Sequence, residues 1–192
     1  MESFKEEFDD IIATINTTSS VIGAEWMMIG GIAVASAGEP RNTKDIDFSI
    51  GTTVDRAAEI DSALASNGWS RFDGPGQIKN TGIWLARYKH SDESRKLTVD
   101  VFFTMSEWQR IALARRKPVT YLGNKYWVAT PEDLIVFKLI SNRGKDMGDV
   151  DGILDMRMSS LDTPYIDSWA DSLGIRSRWV DTLTRYQDRK SF

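Results

Sequence analysis

The chain reads as an α/β (α+β) protein: a mixed sheet flanked by helices over residues 1–128, followed by a small helical bundle over 129–192. Three observations predict this. Short apolar runs rich in β-branched and aromatic residues alternate with segments of helical period through the first two-thirds. Thr130-Pro131-Glu132-Asp133 then marks a change of pattern, a helix start with Thr as N-cap, Pro at the first position and acids in the first turn. Beyond it only helical periodicity remains.

The elements follow in order. Phe4, Phe8, Ile11, Ile12 and Ile15 lie on one side of an amphipathic helix. Glu25–Ile29 is a short apolar run closed by Gly30-Gly31, the pattern of a buried strand. Ile32–Ala37 is small and apolar, suited to a helix packed closely on that strand. Ile46–Ile50 predicts a second strand, and Val54–Asn67 a helix closed by Gly68. Asp73-Gly74-Pro75-Gly76 reads as a turn able to overhang a site. Ile83–Tyr88 and Leu97–Phe103 predict strands on either side of a charged loop in which His90 is exposed. Ser106–Arg115 predicts a short helix. Val119–Leu122 and Tyr126–Val128 predict a hairpin turning at Gly123-Asn124. Helices are then expected over roughly 131–143, 148–158, 164–172 and 176–189.

Composition excludes several chemistries. With 192 residues, 41% apolar and 27% charged, the chain is of ordinary globular type. Cysteine is absent and His90 is the single histidine, which removes disulfide scaffolds, thiolate zinc sites, cysteine nucleophiles and histidine metal clusters. Twenty-four basic against 28 acidic residues give a net charge of −4, contrary to a wholly basic nucleic-acid binder. The longest charge-free apolar stretch, Ala-rich and ending before Glu39, is too short for a membrane span, and the acidic N-terminus is unlike a signal peptide. A soluble, cytoplasmic protein is expected. The seven tryptophans, scattered through the elements, suit core and domain packing. The basic run Arg110, Arg115, Arg116, Lys117 and Lys125 contains no acid; it is either a solvated face or a phosphate-contacting rim.

The chemistry-bearing stretch is Met27–Ile50. Thirteen residues separate Gly31 from Asp45-Ile46-Asp47. In a strand, Asp45 and Asp47 project to one face while Ile46 turns to the core. Two adjacent carboxylates repel each other, and a divalent cation between them relieves the repulsion. Asp100 sits within the apolar run Leu97–Phe103, where an acid is either on an exposed strand face or placed at a site. If its strand lies beside the Asp45/Asp47 strand, three carboxylates converge and can hold two Mg²⁺ or Mn²⁺ ions about 4 Å apart. Glycines at a strand-to-helix turn allow close backbone approach and offer N–H groups to a triphosphate.

Ile29-Gly30-Gly31, the spacer, and Asp45-Ile46-Asp47-Phe48 resemble the signature of the DNA polymerase β-type nucleotidyltransferase superfamily. Arg41-Asn42-Thr43-Lys44-Asp45, with Pro131-Glu132-Asp133-Leu134, Lys138, Arg143, Lys145-Asp146 and Asp149 downstream, is similar to the AbiEii-type toxin nucleotidyltransferases. The likeness spans about residues 20–155. It implies a nucleotidyltransferase fold and transfer of a nucleoside monophosphate from an NTP to an acceptor hydroxyl with Mg²⁺ or Mn²⁺. By position it implies that Asp45, Asp47 and Asp100 bind metal and act catalytically, and that Gly30, Gly31, Arg41, Thr43 and Lys138 bind the nucleotide. Lys138 as a solvated helix-face lysine is the alternative. Arg143, Lys145, Asp146 and Asp149 equally suit a cap and salt-bridge cluster between two helices. The acceptors implied are RNA, tRNA or a protein partner in a toxin–antitoxin or phage-defence setting. A small antibiotic acceptor is the alternative enzyme reading, and a non-catalytic nucleotide- or partner-binding module such as an antitoxin is the non-enzyme one.

Overall fold

The computed structural model describes residues 2–37, 44–79, 81–121 and 123–191. Seven strands form one mixed sheet: β1 (Trp26–Ile29), β2 (Asp45–Ile50), β3 (Trp69–Gln77), β4 (Trp84–His90), β5 (Thr98–Phe103), β6 (Lys117–Tyr121) and β7 (Asn124–Val128). Their spatial order is β3-β4-β5-β2-β1-β7-β6. The β2/β5 and β1/β7 pairs are parallel and the remaining pairs antiparallel.

Among the described residues the helices are α1 (Glu2–Ile22), α2 (Gly30–Ala37), α3 (Ala57–Ala65), α4 (Glu107–Arg115), α5 (Pro131–Ser141), α6 (Gly144–Arg157), α7 (Thr163–Ser172) and α8 (Arg176–Lys190). The caps explain their bounds. The Ser106 hydroxyl accepts from the Gln109 N–H, and the Gln109 side chain accepts from the Ser106 N–H, a reciprocal capping box. Thr130 caps α5 through the Asp133 N–H with Pro131 at the first position, as its sequence predicts. Asn142 ends α5 in the left-handed region, at φ 48°.

One face of β2 carries Ile46, Phe48 and Ile50, all nearly inaccessible. Helices α1 and α3 cover this face. Trp26 stacks edge-on to Phe48 while its indole N–H donates to Asn16, and the Tyr88 hydroxyl donates to Asp61 of α3. Helix α5 is buried over most of its length, from Glu132 to Ile140, and lies on the opposite face. Its C-terminal carbonyls at Leu139 and Ile140 accept from the Arg178 guanidinium of α8. The tail is tied further by Arg185 and Arg189, which pair with Asp151 of α6.

Four expectations change. Residues 73–76 are not a turn: they lie inside β3, an edge strand whose register shifts twice against β4. An edge strand tolerates a proline without an N–H, and a bulge absorbs the extra residues. The segment from Val54 begins with a 3₁₀ turn (Val54–Arg56) before α3 starts at Ala57. His90 is half-buried, its ring edge-on to Trp69 at 5.2 Å. Trp127 is 42% exposed, with the Arg116 guanidinium 4.8 Å from its ring centroid, whereas Trp26, Trp69, Trp108 and Trp179 are core residues as expected.

Candidate active site

The face of the sheet opposite Ile46 and Phe48 carries a row of charges set by strand register. Asp47 pairs with Asp100 across β2/β5, Asp100 with Arg87 across β5/β4, and Arg87 with Asp73 across β4/β3. Cross-strand partners share a face, so one acid–acid neighbour and one acid–base neighbour meet at Asp100. On the other side of Asp47 lies Ile29, its partner in β1. Asp45 pairs with Thr98, whose hydroxyl donates to Asp45 Oδ1 at 2.9 Å.

Gly30 and Gly31 roof the acids. Gly30 has φ +66°, and a Cβ there would fall 1.8 Å from Asp47 Oδ2. Only glycine permits this approach. The Gly31 N–H lies near the Asp47 carboxylate and favours its ionised form. The α5 residues Phe137, Lys138 and Ser141 close the far wall, and the cleft so formed holds about 160 Å³. Ile78, Ile83, Leu85 and Phe102 make its apolar side.

The electrostatics follow from this crowding. Burial, then the neighbouring Asp100 charge, raises Asp47 to about 7, against the opposing pull of Lys138. Burial raises Asp100 to about 6 although Arg87 pulls it down; Asp45 and Asp73 push it further up. Burial is thus the chief reason that both carboxyls keep their protons to a higher pH than solvated acids do.

Lys138 is 5% exposed, a buried side chain rather than a solvated one. Its Nζ lies 2.6 Å from Asp149 Oδ2 and 3.3 Å from Asp146 Oδ1. Arg143 donates from Nε and Nη2 to the two Asp146 oxygens at 2.7 and 3.1 Å, and its own N–H is received there at 3.0 Å. Burial pushes the Asp146 carboxyl up, but the Arg143 hydrogen bond and the Lys138 charge together hold it below its ordinary value. The cap-and-bridge arrangement at the α5/α6 joint is thus present, and Arg143 and Lys145 line the cleft as well.

The structure brings Gly30, Gly31, Asp45, Asp47, Asp100 and Lys138 to one cleft. Arg41 and Thr43 lie outside the described residues. Arg87 was missed by sequence reasoning; its only signal was a charged residue alternating with apolar ones in Trp84–His90. In the basic run, Arg115 pairs with Glu132 and Asp133, and Arg116 with Glu25.

Carboxylate oxygens suit Mg²⁺ or Mn²⁺; of the acids in the cleft, Asp47 and Asp100 are direct cross-strand neighbours and Asp45 lies on the same face of β2. Among the described residues, no group of three or more His, Cys, Asp or Glu side chains is placed to hold a metal ion, so the expected convergence of three carboxylates is not preassembled. Asp100 leans instead toward Arg87, whose Nε is 3.3 Å from its Oδ2.

No protein-family model matches the chain, and no curated protein sequence matches it. Solved structures do resemble it. The antibiotic-resistance factor ANT(2'')-Ia in solution aligns at 13% identity and a TM-score of 0.55, over 100% of this chain and 99% of that one. A crystal structure of ANT(2'')-Ia with adenylyl-2''-tobramycin aligns at 14% identity and a TM-score of 0.53, over 88% of this chain and 97% of that one. An antigenic nucleotidyltransferase-like protein from Paracoccidioides brasiliensis aligns at 16% identity and a TM-score of 0.53, over 91% of each chain. The fold is the nucleotidyltransferase fold. No described helix is long and apolar enough to cross a membrane.

Proposed function

We propose that this chain transfers a nucleoside monophosphate from an NTP to an acceptor hydroxyl, releasing pyrophosphate. The observation that carries the reading is the direct cross-strand pairing of Asp47 with Asp100 beneath Gly30-Gly31 and beside Lys138. Gly30 and Gly31, at the start of α2, present backbone N–H groups to the triphosphate. By the resemblance Lys138 serves the triphosphate as a point cation, a role it would share with the ion pairs to Asp146 and Asp149. Asp45, Asp47 and Asp100 would hold Mg²⁺ or Mn²⁺. Such ions supply charge neutralisation at the attacking and leaving oxygens of an in-line displacement. By the resemblance, Asp100 also stands where an acid helps to deprotonate the attacking hydroxyl. Most of the rate gain in such chemistry comes from positioning and charge.

A small hydroxylated acceptor fits better than RNA, tRNA or a protein. ANT(2'')-Ia, which carries a structure with adenylyl-2''-tobramycin, matches the chain end to end. Arg115 and Arg116, candidates for an RNA rim, are committed to internal ion pairs. The AbiEii-type likeness, resting on the motifs alone, favours RNA and a toxin–antitoxin role. Incubation of each labelled NTP and Mg²⁺ with tobramycin, total RNA or purified protein separates the readings by where label appears. Label on RNA that falls steeply with salt would overturn the small-acceptor reading. NTP binding indifferent to divalent metal would overturn transfer and favour a non-catalytic module.

A further inference from the structure

Arg87 enters the site from β4, on the far side of β5 from Asp47. Its contact with Asp100 is close but poorly aligned: Nε is 3.3 Å from Oδ2, yet that buried Nε has no hydrogen-bond partner among the described residues. The two partners also differ in freedom. The Asp100 side chain is 8% exposed and the Arg87 side chain 42%, so the cation has room to move and the anion does not. One strand further out, Asp73 is Arg87's other cross-strand partner and is exposed. A guanidinium leaving Asp100 therefore finds a second carboxylate on the same face.

We propose that Arg87 is a positioning residue, an internal counter-ion that occupies Asp100 until a divalent cation arrives with the nucleotide, and that then passes to Asp73. This rests on the nucleotidyltransferase reading above. A bare cation seeking Asp47 and Asp100 together must displace a guanidinium from one of its own ligands and face its charge. A cation arriving with a triphosphate brings negative charge that offsets this repulsion. Cation and nucleotide binding are thereby coupled, and by linkage each favours the other.

The test is calorimetric titration of Mn²⁺ into the full chain, with and without a non-hydrolysable NTP analogue. Arg87→Gln should bind bare Mn²⁺ about threefold to tenfold tighter than the wild type, the scale of a partly exposed ion pair. The gap should narrow with the analogue present. Lys145→Gln removes a nearby positive charge that acts on Asp100 without an ion pair to it, and should give a smaller gain. Arg87→Lys keeps the charge but not the fork, and should bind bare Mn²⁺ with intermediate affinity; it decides the matter if Arg87→Gln does not fold. Unchanged or weaker Mn²⁺ binding in the Arg87 variants, or an equal gain in Lys145→Gln, would overturn the counter-ion role alone. Mn²⁺ binding to no variant and not to the wild type, even with the analogue, would overturn it together with the nucleotidyltransferase reading.

Discussion

A Cβ placed on Gly30 would lie 1.8 Å from Oδ2 of Asp47, 2.4 Å from its Cγ and 2.8 Å from its Cβ. The whole Asp47 side chain is thus packed against a backbone position that only glycine fills. Gly30→Ala forces an L residue to φ +66°, costing about 1–2 kcal/mol, and expels the carboxylate. Denaturant unfolding should show a loss of that order or somewhat more, and NMP transfer should disappear.

Asp47→Asn should abolish transfer while leaving the fold intact; unchanged turnover would refute its assigned role. The same variant has a signature in stability. Below the unfolded value near 3.8, both states hold the Asp47 and Asp100 protons. Above it, the folded chain keeps protons that the unfolded chain releases, until the pH passes about 6 for Asp100 and about 7 for Asp47. Unfolding free energy therefore falls as pH rises through this window. Asp47→Asn should flatten the fall, and Mg²⁺ added at pH 7.5 should restore stability to the wild type but not to the variant.

Lys138 is the shared cation of two buried carboxylates. Lys138→Met leaves Asp149 and part of Asp146 without it, and should cost about 3–5 kcal/mol. Adding Asp149→Asn should recover part of this loss, because a neutral amide needs no counter-charge. Urea unfolding of the single and double variants measures the recovery, and additive effects would contradict the pairing.

The tail is also anchored by a polar contact at the N-terminal end of α5. The Tyr165 hydroxyl of α7 donates to Asp133 Oδ1 at 2.6 Å, and the Arg115 guanidinium lies 3.8 Å from the Tyr165 ring centroid. Tyr165→Phe should lower stability by about 1–2 kcal/mol with transfer per folded molecule unchanged. A changed rate would tie the α7 contact to the cleft.

Much of the fold was legible because its signals are local. The period of Phe4–Ile15, the Thr130-Pro131 start and the alternation of Asp45-Ile46-Asp47-Phe48 each follow from short-range geometry. Residues 73–76 misled because Gly and Pro carry the same local signature in a turn as in a bulged edge strand, and only pairing with β4 distinguishes them.

The sequence by itself determined which residues bear the chemistry: a diglycine turn, an Asp-x-Asp strand, and an acid in an apolar run. Only the tertiary structure decided that Asp100 stands beside Asp47, because strand order and register come from long-range pairing. The same register decided that Arg87 faces Asp100, and helix packing decided that Lys138 is buried between Asp146 and Asp149. Local periodicity tells which way a side chain leaves its own backbone. What it meets there depends on elements distant in the chain, brought together by burial of the common core.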